Sequence, residues 1–102
     1  MELAAFQEEV ARLTDSWSDA KLVTMNLLLT EEIGELARAI RKLGTKRWGH
    51  EDESVGSKDN IVEELGDILW LLARISIISD VSLAEAAATV LRKIELRVAQ
   101  SG

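Results

Sequence analysis

Two acidic hexapeptides carry the residues of this chain best suited to chemistry. Glu31-Glu32-Ile33-Gly34-Glu35-Leu36 returns 32 residues later as Glu63-Glu64-Leu65-Gly66-Asp67-Ile68, in the order acid, acid, aliphatic, glycine, acid, aliphatic. Both copies lie in long apolar stretches without proline, so both are expected to be helical. Residues three apart share a helix face, which makes neighbours of Glu32 with Glu35 and of Glu64 with Asp67. In the first helix these acids continue the line of Met25 and Leu28, at the edge of a stripe of Met25, Leu28, Leu29, Ile33, Leu36 and Ile40. In the second they interrupt the stripe Ile61, Ile68, Leu71 and Ile75. They should therefore point inward, or nearly so.

Inward carboxylates are costly unless something positive sits among them. The sequence offers few cations at matching inward positions, whereas four converging carboxylates form a hard-oxygen site of the kind Mg²⁺ or Mn²⁺ prefers. A single acidic cluster is ordinarily a solvated face. Two copies that each interrupt an apolar stripe favour a metal. The paired glycines, each costing ~1 kcal/mol relative to Ala inside a helix, suggest close helix approach beside the acids.

The positioning elements follow from the rest of the chain. A length of 102 residues, 47% of them hydrophobic, with no proline and a wealth of Ala, Leu, Ile and Glu, predicts one small all-α domain over residues 1–102. The formal net charge of −6 argues against a nucleic-acid polymer as partner, since no basic face is available for a phosphate backbone. There is no cysteine, which excludes thiol chemistry and disulfides. No signal peptide or membrane-length apolar run is recognisable, so a cytoplasmic location is expected, with no membrane partner.

Four helices are expected. The first spans about residues 2–13, with Leu3, Phe6, Val10 and Leu13 at helical spacing. The second starts near Ser16 and Asp19, which have capping-box spacing, and ends near Leu43, with Gly44 as its C-cap. Arg38, Arg41 and Lys42 suit the dipole of its last turns and are first of all structural. Trp17 in the preceding junction is a hydrophobic staple or a ligand platform. Residues 45–58 form a long loop holding Trp48 and His50, the only histidine, which has no partner of nucleophile type nearby. Asn60 and Glu63 open the third helix, which ends near Ser79. Ser82 and Glu85 form a better capping box for the fourth, which buries Leu83, Ala87, Val90, Leu91 and Ile94 and ends near Ala99. The two acidic helices should be adjacent and antiparallel.

The segments EEIGELARAIRKL at 31–43 and VEELGDILWLLARI at 62–75 resemble the paired EExxE and ExxD motifs of the MazG-like all-α nucleoside triphosphate pyrophosphohydrolases. The resemblance spans about residues 19–97 and implies a four-helix MazG-like bundle, oligomeric as a dimer or tetramer. It also implies Mg²⁺-dependent cleavage of nucleoside triphosphates between the α and β phosphates, in a nucleotide-pool housecleaning role. By that resemblance Glu32, Glu35, Glu64 and Asp67 are the metal ligands. Glu31 and Glu63 match further acids, which with Glu35 are the candidates for a catalytic role. Lys93 and Arg97 resemble basic residues of the last helix that approach the phosphates, although Val90 stands where many relatives have Asn. Trp17, Asn26 and Trp48 are candidates for selecting the base. Two alternatives stand beside this reading: a phosphoribosyl-ATP or dUTP hydrolase of the same superfamily, and a non-catalytic helical module whose acids meet a structural cation or a basic partner. Apolar residues on several helix faces, Leu72, Ile77 and Ile78 among them, independently favour an oligomer.

Overall fold

A computed structural model of the chain describes residues 1–15, 22–47 and 58–101. These residues form four helices: α1 (Leu3–Thr14), α2 (Leu22–Arg47), α3 (Lys58–Ile78) and α4 (Leu83–Ser101). No strand occurs among them, and the all-α expectation is met. They fall into two compact units. One comprises α1, the end of α3 from Leu72, and α4; the other comprises α2 and the first part of α3 through Leu71.

In the first unit α1 packs against α4. Val10 of α1 and Ala73 of α3 are its most deeply buried apolar residues. Thr14 is buried as well and donates its hydroxyl to the Val10 carbonyl, so its polar atom is satisfied within the helix. Gln7 clasps the α3–α4 connection from α1: its amide nitrogen donates to the Val81 carbonyl at 3.0 Å, and its oxygen accepts from the Leu83 N–H at 2.7 Å. That connection is a Schellman turn. The Val81 N–H reaches back to the Ser76 carbonyl and the Asp80 N–H to that of Ile77, with Asp80 left-handed at φ 55°. Ser82 then caps α4 as expected, its hydroxyl accepting from the Glu85 N–H at 3.1 Å.

In the second unit Met25, Ala39 and Leu71 are buried. On α3 the expected stripe is confirmed, with Leu71 buried and Ile61 and Ile68 half-buried. On α2 it is corrected. Leu28, Ile33 and Ile40 are exposed, Leu29 and Leu36 are half-buried as expected, and the most covered positions are Met25 and Ala39, with Glu32 half-buried between them. Of the α2 acids Glu32 thus lies on the covered side and Glu35 at its edge.

Two boundaries also differ from expectation. Helix α2 runs through Gly44 to Arg47, so Gly44 is not its C-cap, and α3 begins at Lys58, which places Asn60 inside its first turn. A lone glycine costs only ~1 kcal/mol and no proline intervenes, so nothing local stops α2 at Leu43. The capping box at Ser16 and Asp19, Trp17, Trp48 and His50 lie outside the described residues. On α4, Leu83 and Ala87 are half-buried, but Val90, Leu91 and Ile94 are exposed rather than buried; among the described residues of this unit only α1 and the end of α3 accompany α4. Among the described residues no helix is long and apolar enough to cross a membrane.

Candidate metal centre

The second unit brings the two acidic repeats together. One carboxylate oxygen from each of Glu32, Glu35 and Glu64 lies within 4.8 Å of the other two. The helices are antiparallel here. Towards the start of α2, Leu28 and Glu32 share a cavity with Asp67, Trp70 and Leu71; towards its end, Glu35, Arg38, Ala39 and Lys42 share another with Asn60 and Glu64. Ascending numbers on one helix thus meet descending numbers on the other. The lines 28, 32, 35, 39, 42 and 71, 67, 64, 60 each alternate steps of four and three, the spacing of a single helix face.

The electrostatics of the cluster are set by burial and by like charges held close together. Glu32 and Glu64 each bury one oxygen, Oε2, without a hydrogen-bond partner. Burial, followed by the repulsion of Glu35, Asp67 and Glu64, holds the Glu32 carboxyl above its ordinary range. The Glu64 carboxyl is raised in the same way, first by burial and then by Glu35 and Asp67, with a smaller push from Glu63. Buried polar atoms are ordinarily satisfied. Two buried carboxylate oxygens without a partner, at the meeting point of three acids, are atoms that a cation would satisfy.

A divalent ion fits this donor set. Oxygens sharing an octahedral Mg²⁺ at about 2.1 Å stand roughly 3–4 Å apart, close to the spacing already present. The donors are all carboxylates, the hard ligands that Mg²⁺ and Mn²⁺ prefer over Zn²⁺ or Cu²⁺.

The remaining expected site residues are distributed as follows. Asp67 is exposed and lies outside the group of three, lining the same cavity as Glu32. Glu31 and Glu63 are exposed, each one residue from an inward acid. Asn26 is exposed on α2, and its backbone carbonyl accepts the Thr30 hydroxyl. Lys93 and Arg97 are exposed on α4, in the other unit. Four residues beside the acids were not expected there: Trp70, Arg38, Lys42 and Asn60. The helical spacing of Arg38 and Lys42 from Glu35, three and seven residues, was the signal for two of them.

The glycines behave differently from expectation. A Cβ built on Gly34 or Gly66 meets nothing within 4 Å, so neither glycine serves a close helix approach among the described residues. Both are exposed because they point away from the line that carries the acids.

Comparison with known proteins agrees with this geometry. Over 94 residues the chain is 32% identical to the uncharacterized protein YpjD of Bacillus subtilis (strain 168), a match covering 89% of this chain and 81% of that protein. No solved structure matches the chain at a significant level. The model of the MazG nucleotide pyrophosphohydrolase domain matches residues 21–100, and so takes in both acidic helices and α4. A chain matched over most of its length, with the paired acids meeting on antiparallel helices, belongs to the MazG nucleotide pyrophosphohydrolase family.

Proposed function

We propose that the protein is a Mg²⁺-dependent nucleoside triphosphate pyrophosphohydrolase that releases a monophosphate and pyrophosphate, in a cytoplasmic housecleaning role. The observation that carries this reading is the convergence of Glu32, Glu35 and Glu64 around two orphaned carboxylate oxygens. Those three, with Asp67, would hold the ion, and Mn²⁺ suits the same donors. The chemistry supplied by such an ion is charge neutralisation on the phosphates and activation of water.

The chain's own residues do the rest. Glu35 is exposed while touching the cluster, which suits it to accept a proton from the attacking water; Glu31 and Glu63 are the neighbouring alternatives. The water oxygen bonds to the α phosphorus, the bond from that phosphorus to the α–β bridging oxygen breaks, and its electron pair leaves with pyrophosphate. No covalent nucleophile is required. Trp70 and Leu28 line an open cavity of ≈ 260 Å³ beside Glu32 and Asp67, a surface suited to a nucleoside. Trp17 and Asn26 are further candidates for base selection, and Lys93 and Arg97 for the phosphates. The protein works as a homodimer or tetramer in this reading, in keeping with the exposed apolar residues of α4.

A panel of nucleoside triphosphates incubated with Mg²⁺, read by pyrophosphate release and monophosphate formation, tests the proposal. Pyrophosphate released with at least one of them, and lost on chelation, is expected. Orthophosphate release instead, or no turnover of any nucleotide with Mg²⁺ or Mn²⁺, overturns it.

A further inference from the structure

The cavity on the other side of the acids differs in character from the one at Trp70. It has a volume of ≈ 220 Å³ and is lined by Glu35, Arg38, Ala39, Lys42, Asn60 and Glu64. Two cations and two anions thus share one small opening. Arg38 and Lys42 form no ion pair with a described residue, although Glu35 stands a single turn from Arg38 on the same helix. Their position at the end of α2 accounts for positive charge in general. It does not account for these two lining the cavity that Glu35 and Glu64 enter.

Character changes in one direction along the α2–α3 pair. Leu28, Trp70 and Leu71 make an apolar end, Glu32, Glu35, Glu64 and Asp67 an acidic middle, and Arg38 and Lys42 a basic end. From Leu28 to Lys42 the rise along α2 is ~21 Å. A ligand that is apolar at one end and polyanionic at the other matches this order in only one orientation.

We infer that Arg38 and Lys42 form the subsite for the leaving pyrophosphate, so that a nucleoside triphosphate lies along α2 with its base towards Trp70 and its β and γ phosphates towards Lys42. This assignment rests on the pyrophosphohydrolase reading above. Arg38 lies ~4.5 Å along the helix axis from Glu35, which puts its guanidinium within reach of a phosphate held at the acids. Its planar fork suits paired phosphate oxygens, while the Lys42 ammonium is a point charge further out. Both counter the negative charge that builds on the leaving group as the α–β bond breaks.

The test uses the full-length chain with Arg38→Gln, Lys42→Gln and, as a control from the same turns but not lining the cavity, Arg41→Gln. Calorimetric titration with inorganic pyrophosphate in Mg²⁺ should show binding weakened about tenfold by each of the first two changes and unaltered by the third. The KM for a hydrolysed triphosphate should rise in parallel. Binding of the matching nucleoside monophosphate and the Mg²⁺-induced melting shift should stay at wild-type values. Arg38→Lys, which keeps the charge and loses the fork, should fall between. If Arg38→Gln and Lys42→Gln bind pyrophosphate as wild type does, or wild type binds none, the subsite is elsewhere. If wild type turns over no nucleotide but binds Mg²⁺-pyrophosphate through these two residues, the subsite stands and the proposed activity falls.

Discussion

Glu32 on α2 and Glu64 on α3 each hide one carboxylate oxygen that has no hydrogen-bond partner, and each has its carboxyl raised by burial and by the other acids of the cluster. A carboxyl raised in the folded state favours folding when protonated. Its contribution is complete below the unfolded value and is lost as pH rises through the folded one. Metal-free protein should therefore melt at a higher temperature at pH 5.5 than at pH 7.5. Saturating Mg²⁺ should abolish or reverse that difference, because the ion requires the carboxylates deprotonated. Thermal melts at both pH values, in chelator and in millimolar Mg²⁺, measure this; melting independent of pH and metal would remove the case for a shared cation site.

Removing one acid separates the metal's role from the fold's. Asp67→Asn keeps the shape and deletes one of the charges acting on Glu32 and Glu64, so the metal-free variant should be at least as stable as wild type. Its hydrolytic activity should fall by more than about a hundredfold, beyond the loss that follows from changing a residue that only supports a ligand. Metal should also protect it less: wild type gains about 2.7 kcal/mol at a hundredfold excess of ion over its Kd. Retained activity, together with a wild-type Mg²⁺ melting shift, would place Asp67 among ordinary solvated acids.

The meeting of Glu32, Glu35 and Glu64 was legible in the sequence because its signal is local. The i, i+3 acids interrupting an apolar stripe state both the helix and the face, and the antiparallel pairing follows from a repeat on successive helices. The extent of α2 was not legible, since Gly44 marks a C-cap and an interior glycine equally well. Nor was the fate of α4: Val90, Leu91 and Ile94 have the spacing of a buried stripe, yet burial depends on what lies opposite, which periodicity does not encode. Arg38 and Lys42 carry two meanings at once, helix-dipole complement and cavity lining, and only the pairing of α2 with α3 separates them.

The repeated glycines make an informative pair. Each occupies a helix interior with open space where its Cβ would be, so Gly34→Ala and Gly66→Ala should each stabilise the protein by about 1 kcal/mol, a rise of roughly 4–8 °C for a domain of this size. Denaturant titration alongside melting checks the figure. A loss of stability instead would show that a partner copy packs against these helices where the single chain leaves room.

The face of α4 carries the last prediction. Leu91 is 61% exposed, Ile94 45% and Val98 65%, and their steps of three and four align them along one side of the helix. A small domain gains by covering such a line, and a second copy of the chain supplies a complementary surface by symmetry. Leu91→Glu would set a carboxylate into that contact, so light scattering at micromolar concentration should report a dimer or tetramer for wild type and a smaller species for the variant. Melting of wild type should rise with protein concentration and that of the variant should not. If the face is instead open to water, the substitution shifts stability by no more than about 0.5 kcal/mol, both proteins share one mass, and the assembly either lies elsewhere on the molecule or does not form.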